Sequence, residues 1–154
     1  MTKRTRQSGH AMIELAFSAG VMIACLSGTF RFGYTFFIYD ELVSAVGNGA
    51  RYAASRTYRA ASPADVEKGK AAIRNLVVFG NSRPAPGAAP VTPNLKPENV
   101  QVSWVAGKNG APDAVNVTLV KYSVGAIFGS ITLDHRPVAQ FPFVGRYAPS
   151  ESEP

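Results

Sequence analysis

Hydrophobic positions are concentrated in the first third of the chain. The stretch from Ala11 to Phe30 carries a single charged residue, and the apolar character continues through the aromatic-rich residues 32–39. Crossing a bilayer as a helix takes roughly 20 mostly apolar residues. The pattern therefore predicts a membrane-spanning helix over about residues 11–30, which could extend to residue 39.

The helical pattern continues beyond the apolar stretch. No proline occurs between His10 and Ala61, and most residues in this interval are good helix formers. The sequence predicts one helix over residues 10–61, which would be about 78 Å long at 1.5 Å per residue if unbroken. Gly47 and Gly49 are the weak points at which it could bend.

A second helix and a stiff connector follow. Ser62 offers an N-cap and Gly80 suits the left-handed turn after a helix, which predicts a helix over residues 62–80. Residues 83–99 contain five prolines and can form neither a helix nor a central strand. We expect an extended Pro-rich connector there.

Two segments of residues 100–147, VQVSWV and AVNVTLVKYSV, alternate apolar and polar positions, which predicts strands with one buried face. A third apolar segment, SITLDHRPVAQFPFV, follows them. Pro137 and Pro142 make the third segment an edge strand or a broken one, and residues 148–154 are predicted to be a disordered tail. Together these elements predict an α+β fold: a long N-terminal hydrophobic helix, a short helix and a small antiparallel β-sheet.

Composition limits the classes of function. A chain of 154 residues with 46% hydrophobic content has room for an anchor and one small domain. The formal charge is +6, but part of it precedes the apolar stretch and the remaining basic residues form no stripe, so no nucleic-acid partner is expected. The lone Cys25 cannot form an intrachain disulfide.

The charges that flank the span predict its orientation. Lys3, Arg4 and Arg6 precede it, whereas Asp40 and Glu41 follow the aromatic residues. The positive-inside rule then places the N-terminus in the cytoplasm and the C-terminal domain on the other side.

Aromatic residues crowd the outer end of the span, where amphipathic rings favour the headgroup layer. Tyr34 and Tyr39 are predicted to anchor the helix at this interface. Arg31 could extend its apolar stem along the membrane and keep its charge in the headgroup layer.

The charged residue within the span is Glu14. A carboxylate in a membrane costs about 2.5–3.5 kcal/mol on insertion scales and normally persists with a partner. Cleavage after Gly9 would create an α-ammonium on His10, and Glu14 would become the fifth residue of the shortened chain. That amine could pair with the carboxylate of a neighbouring helix; otherwise Glu14 is a tolerated interfacial residue of a single-pass anchor.

These features resemble those of a known family. The segment GHAMIELAF is similar to the processing site of type IV pilin-like proteins, in which a basic leader is cut after glycine and glutamate stands fifth in the mature chain. The continuation FRFGYTFFIYDELVSAVGNGARYAA resembles TadE-like minor pilins of the tight adherence (Flp) pilus system. The resemblance covers residues 8 to about 58; the rest matches in its general, pilin-like layout.

The resemblance implies a function in assembly. Residues 1–9 would be a leader removed by a prepilin peptidase between Gly9 and His10, and Glu14 would act in assembly. The implied partners are other major and minor pilins, the inner-membrane assembly platform and the inner membrane itself. The implied location is the bacterial inner membrane, with a periplasmic C-terminal domain, and then the pilus.

Small residues recur every four positions within the span. A spacing of four keeps residues on one helix face, where small side chains let another helix approach closely in a membrane. Such patterns are also common in membrane helices that form no interface. The four residues of this small-residue ladder are Ala16, Gly20, Ala24 and Gly28.

The resemblance places the segment GNGARYAAS just outside the membrane, where it would contact the domain or another subunit. Gly49, Arg51 and Tyr52 are its candidate contact residues. Arg51 could equally be a solvated charge.

No pattern indicates catalysis. The sequence contains no phosphate loop, nucleophile elbow or metal-ligand spacing, and the adjacent Asp134 and His135 are expected at the surface. No enzyme activity, cofactor, metal or small-molecule substrate is expected. Two alternatives remain: a type II secretion-like pseudopilin, and an unprocessed single-pass periplasmic binding module.

Overall fold

The computed structural model describes residues 5–56, 58–59, 63–107, 112–126 and 129–148. It has the predicted α+β layout, with a long apolar helix, a short helix and small sheets. In chain order the elements are α1 (Thr5–Ala54), β1 (Tyr58–Arg59), α2 (Pro63–Phe79), β2 (Val100–Ala106), β3 (Pro112–Leu119), β4 (Tyr122–Ala126), β5 (Gly129–Leu133), β6 (Val138–Pro142) and β7 (Tyr147–Ala148).

Helix α1 is continuous through Gly47 and Gly49, so neither glycine breaks it. It ends at Ala54, earlier than the predicted residue 61. At this end the amide of Val144 donates a hydrogen bond of 3.0 Å to the Ala54 carbonyl, one of the last-turn carbonyls that have no partner within a helix. The helix also begins before His10, at Thr5.

The boundaries of α2 agree with the sequence pattern. Gly80 follows the helix at φ +68°, and its amide donates to the Leu76 carbonyl at 2.9 Å, which is a left-handed C-terminal cap. The connector that follows has a short 3₁₀ turn at Pro97–Asn99. It is otherwise irregular.

The second and third predicted strand segments are each divided in two. The second breaks after Leu119, where Lys121 adopts φ +53°, and continues as β4. The third breaks between β5 and β6, where His135 adopts φ +56°. The chain therefore forms a three-stranded antiparallel sheet in the order β2–β3–β6 and a separate antiparallel hairpin, β4–β5.

A short parallel pair joins distant parts of the chain. Tyr58 and Arg59 of β1 pair with Tyr147 and Ala148 of β7. Ala148 thus belongs to a strand, although the sequence places it in the disordered tail; residues 149–154 and residues 1–4 of the predicted leader lie outside the described residues.

The hydrophobic core lies between the second half of α1, α2 and one face of the sheet. Residues of α1 at intervals of four contribute one side of it: Leu42, Val46 and Ala50 are fully buried. Val77 of α2 and Val117 of β3 are buried equally completely. The domain is therefore built around the C-terminal half of the long helix, and leaves the N-terminal half outside.

Candidate functional site on the N-terminal helix

Gly9 and His10, the predicted cleavage residues, lie in the second turn of α1, and both are exposed. A Cβ at Gly9 would meet no atom within 4 Å. The bond between them is therefore accessible but helical. Glycine weakens a helix by about 1 kcal/mol relative to alanine, which makes local opening at this bond less costly.

Glu14 lies one helical turn after His10 on the exposed surface of α1. Among the side chains that the structure describes, Glu14 forms no ion pair or hydrogen bond. Its nearest charged neighbour along the helix in the C-terminal direction is Arg31, more than four turns away. Within a single copy of the chain, no described residue pairs with this carboxylate.

The small-residue ladder is open to its surroundings. Ala16, Gly20 and Ala24 are exposed and Gly28 is partly buried; a Cβ at either glycine would meet nothing within 4 Å. The ladder therefore contacts no other element of the described chain. Its exposure permits a close helix–helix approach but identifies no partner.

Two threonine hydroxyls of α1 are hydrogen-bonded within the helix. Thr29 donates to the Cys25 carbonyl and Thr35 to the Arg31 carbonyl, each at 3.0 Å. Because these hydroxyls need no water, their presence is compatible with an apolar environment.

The predicted interfacial anchors lie where α1 meets the domain. Arg31 is exposed, and the side chains of Tyr34 and Tyr39 are 54% and 38% exposed. Ile38, one helical turn after Tyr34, is the first α1 side chain that belongs to the core. The transition from exposed to buried apolar residues thus falls within the aromatic-rich segment.

The three candidate contact residues near the end of α1 do contact the domain. A Cβ at Gly49 would overlap the Cγ2 methyl of Val77, so glycine is required for the close approach of α1 and α2. The Arg51 guanidinium lies over the Phe141 ring at 5.3 Å. Tyr52 packs against the core and carries the Arg56 guanidinium over its ring at 4.4 Å.

Sequence reasoning missed the contact between the β4–β5 hairpin and α1. The Thr35 hydroxyl also lies 3.4 Å from the Gly125 carbonyl, to which it can donate. The alternation in AVNVTLVKYSV indicated a buried face, but no local pattern could indicate that α1 covers the part of it that forms β4.

The adjacent acid and histidine between β5 and β6 lie at the surface. Asp134 and His135 are both exposed, with 4.0 Å between the Oδ1 and Nε2 atoms. The Asp134 carboxylate instead accepts the Lys121 amide at 3.3 Å across the hairpin base. In the described part of the chain, no three His, Cys, Asp or Glu residues are grouped so that they could hold a metal ion.

Comparisons with family models, with curated proteins and with solved structures find no match to this chain. The structure itself supports a coarser class. Of the described helices, α1 alone is long and apolar enough to cross a membrane, and its most apolar window is not buried inside the protein. The candidate site is therefore the exposed half of α1, attached to a small α+β domain.

Proposed function

We propose that this chain is a minor pilin or pseudopilin of a tight-adherence (Flp) type IV pilus. It is inserted in the inner membrane through α1, cut between Gly9 and His10, and packed with other pilins through the exposed half of α1. The observation that carries this proposal is the position of Glu14, an unpaired acid one turn after the cleavage residues on an exposed apolar helix.

The pairing of charges explains why such an acid is retained. Cleavage after Gly9 releases a positive amine on His10, one turn from Glu14. In a bundle of helices offset along their axes, the amine of one subunit meets the carboxylate of its neighbour. Pairing offsets the cost of keeping both charges in an apolar environment.

The rest of α1 supports the same arrangement. Apolar side chains that leave lipid need another apolar environment, and a bundle of similar helices supplies one. The ladder from Ala16 to Gly28 would allow close approach there. In this proposal the N-terminus is cytoplasmic, the domain is periplasmic before assembly, and the protein performs no chemistry of its own.

N-terminal sequencing of the protein from membranes of its native host, with and without the prepilin peptidase, tests the proposal. We expect the mature chain to begin at His10 when the peptidase is present and to retain the basic leader when it is absent. A chain that keeps its leader in both strains would contradict the proposal and favour the unprocessed membrane-anchored binding module. A tight-adherence motor ATPase encoded nearby would separate this class from type II secretion pseudopilins.

A further inference from the structure

The β4–β5 hairpin is separate from the three-stranded sheet and packs beside the middle of α1. A two-stranded hairpin is marginally stable on its own in water. Its stability therefore depends on what covers its faces. One end is fixed to the domain, since the Tyr122 hydroxyl donates to the Pro93 carbonyl at 2.8 Å.

The two faces of the hairpin differ in polarity. Val124 and Ile131 are register partners on the face that meets α1. On the opposite face, the hydroxyls of the partners Ser123 and Thr132 are hydrogen-bonded at 3.1 Å. The apolar face is turned toward the long helix and the hydroxyl face away from it.

An apolar groove runs between this face and α1. Its volume is about 180 Å³, and it is lined by Phe32, Thr35, Phe36 and Tyr39 of α1 and by Val124, Ile131 and Leu133 of the hairpin. None of these side chains is charged. Phe36 is 65% and Ile131 50% exposed, so the described chain leaves the groove open on one side.

The hairpin extends along α1 toward its apolar N-terminal half. Tyr122 lies near Ile38, and the Gly125 carbonyl lies 3.4 Å from the hydroxyl of Thr35, which is nearer the N-terminus of α1. The end of the hairpin that carries Gly125 and Gly129 therefore points toward the predicted span. Its charged residues, Lys121 and Asp134, lie at the other end.

Helix length places this groove at a membrane surface. From Ala11 to Phe30 α1 rises about 29 Å, which matches a hydrocarbon core of about 30 Å. The headgroup layers add roughly 5–8 Å on each side. The α1 side of the groove runs from Phe32 to Tyr39 and begins about 3 Å beyond Phe30 at 1.5 Å per residue. With the span extended toward residue 39, as the sequence pattern allows, the groove lies in the headgroup layer and at the top of the acyl chains.

We infer that the hairpin is a second membrane contact, in which acyl chains of the leaflet on the domain side fill the groove. The inference rests on the membrane-spanning part of the proposed function and is independent of cleavage after Gly9. The continuity of the groove with the exposed apolar surface of α1 favours lipid as its occupant. A single membrane contact through α1 leaves the tilt and rotation of the helix free, whereas a second contact through the hairpin fixes both. The direction that Glu14 faces is then fixed as well.

Site-directed fluorescence in vesicles of phosphatidylethanolamine and phosphatidylglycerol tests the inference. The full-length protein with Cys25→Ala receives one cysteine at Ile131 or, as the matched control on the opposite face, at Thr132; each is labelled with an environment-sensitive fluorophore. We expect blue-shifted emission at position 131, with quenching by lipids that carry a nitroxide near the headgroup. The label at position 132 should emit as in water and be quenched much less.

Two further label sites separate the outcomes. A label on native Cys25 reports the span, through lipids with a nitroxide deep in the acyl chain; a label at Phe36 reports the other wall of the groove. Quenching at Cys25 without quenching at 131 and 36 would overturn the inference and leave the span intact. Loss of quenching at Cys25 as well would overturn both the inference and the membrane part of the proposed function.

A second copy of the chain could also cover the groove. In that case the label at 131 would be shielded from water at high protein-to-lipid ratios, without quenching by nitroxide lipids, and this result would overturn the inference. Unchanged emission of Trp104 checks that each labelled variant is folded.

Discussion

The two halves of α1 share one continuous backbone but have opposite surroundings. In the C-terminal half, Leu42 and Val46 are fully buried. In the N-terminal half, Met22 and Leu26 are 65% and 53% exposed, although they are equally apolar. The difference shows that the domain supplies partners for one half, whereas the partner of the other half is not part of the described chain.

The two halves also differ in how apolar residues are distributed around the helix. In the buried half they form a stripe, with Asp40, Glu41 and Asn48 interspersed among them, as in a helix that covers a core. In the exposed half they surround the helix, as in a membrane span. The same helix thus follows the pattern of a soluble domain at one end and of a membrane segment at the other.

The largest expected difference between the two halves of α1 is in the free energy of unfolding when one leucine in each half is replaced by alanine. Leu42→Ala leaves a cavity in the core and should lower the free energy of unfolding by about 2–5 kcal/mol. Leu26→Ala removes a side chain that touches no part of the domain and should leave this free energy unchanged. Urea unfolding of the full chain in detergent micelles, followed by Trp104 emission, measures both; equal losses would contradict the division of α1.

Replacing an acidic residue in each half of α1 should affect filament formation differently. Glu14→Ala should preserve membrane insertion and reduce filament formation. A charge-assisted contact is worth about 1.5–3 kcal/mol, so each subunit contact should weaken roughly 10- to 150-fold. Asp40→Ala, an exposed acid beyond the span, is the matched control and should assemble normally; piliation by immunoblot of sheared filaments measures both. Normal piliation of the Glu14 variant would contradict the pairing mechanism.

Replacement of two glycines in the buried half by alanine should change the stability of the protein in opposite directions. A methyl group at Gly49 would overlap Val77, and overpacking costs about 1–3 kcal/mol, which exceeds the gain in helix propensity. A methyl group at Gly47 meets nothing within 4 Å, so Gly47→Ala should stabilise the helix by up to about 1 kcal/mol. Thermal unfolding in micelles distinguishes them, and shifts of the same sign would refute the close approach of α1 and α2.

The sequence predicted elements with strong local patterns well and their long-range contacts poorly. The α+β class, the extent of α2 and the continuation of α1 beyond the apolar stretch follow from proline spacing, caps and periodicity, whereas its continuity through Gly47 and Gly49 was left open. The alternation in AVNVTLVKYSV could not reveal the break at Lys121, because that break depends on a backbone turn. The contact at the end of α1 is made by Val144, which lies 90 residues further along the chain, so no local pattern could indicate it.

The same limit applies to the candidate site. Gly49, Arg51 and Tyr52 were candidate contact residues because the resemblance places their segment just outside the membrane. That the Arg51 guanidinium lies over Phe141 could not be found locally. The roles of Gly9, His10 and Glu14 stay predictions, since their partners belong to other chains. The hairpin that meets α1 at Thr35 was missed because two distant segments form the contact.

The smallest expected effect concerns Glu67, a glutamate that, unlike Glu14, has charged partners within the described chain. The Lys70 ammonium donates a hydrogen bond of 2.6 Å to Glu67, and with the nearby Arg74 guanidinium it lowers the pKa of that carboxyl. A lowered pKa in the folded state means that the stabilisation is present above the ordinary glutamate pKa of about 4.3 and is lost as the pH falls through the folded value. Urea midpoints of the native chain and Glu67→Gln should therefore differ slightly at neutral pH and converge in acid. Lys70→Gln removes the main cause of the shift and should reduce this pH dependence, whereas an unchanged pH dependence would assign the effect to another group.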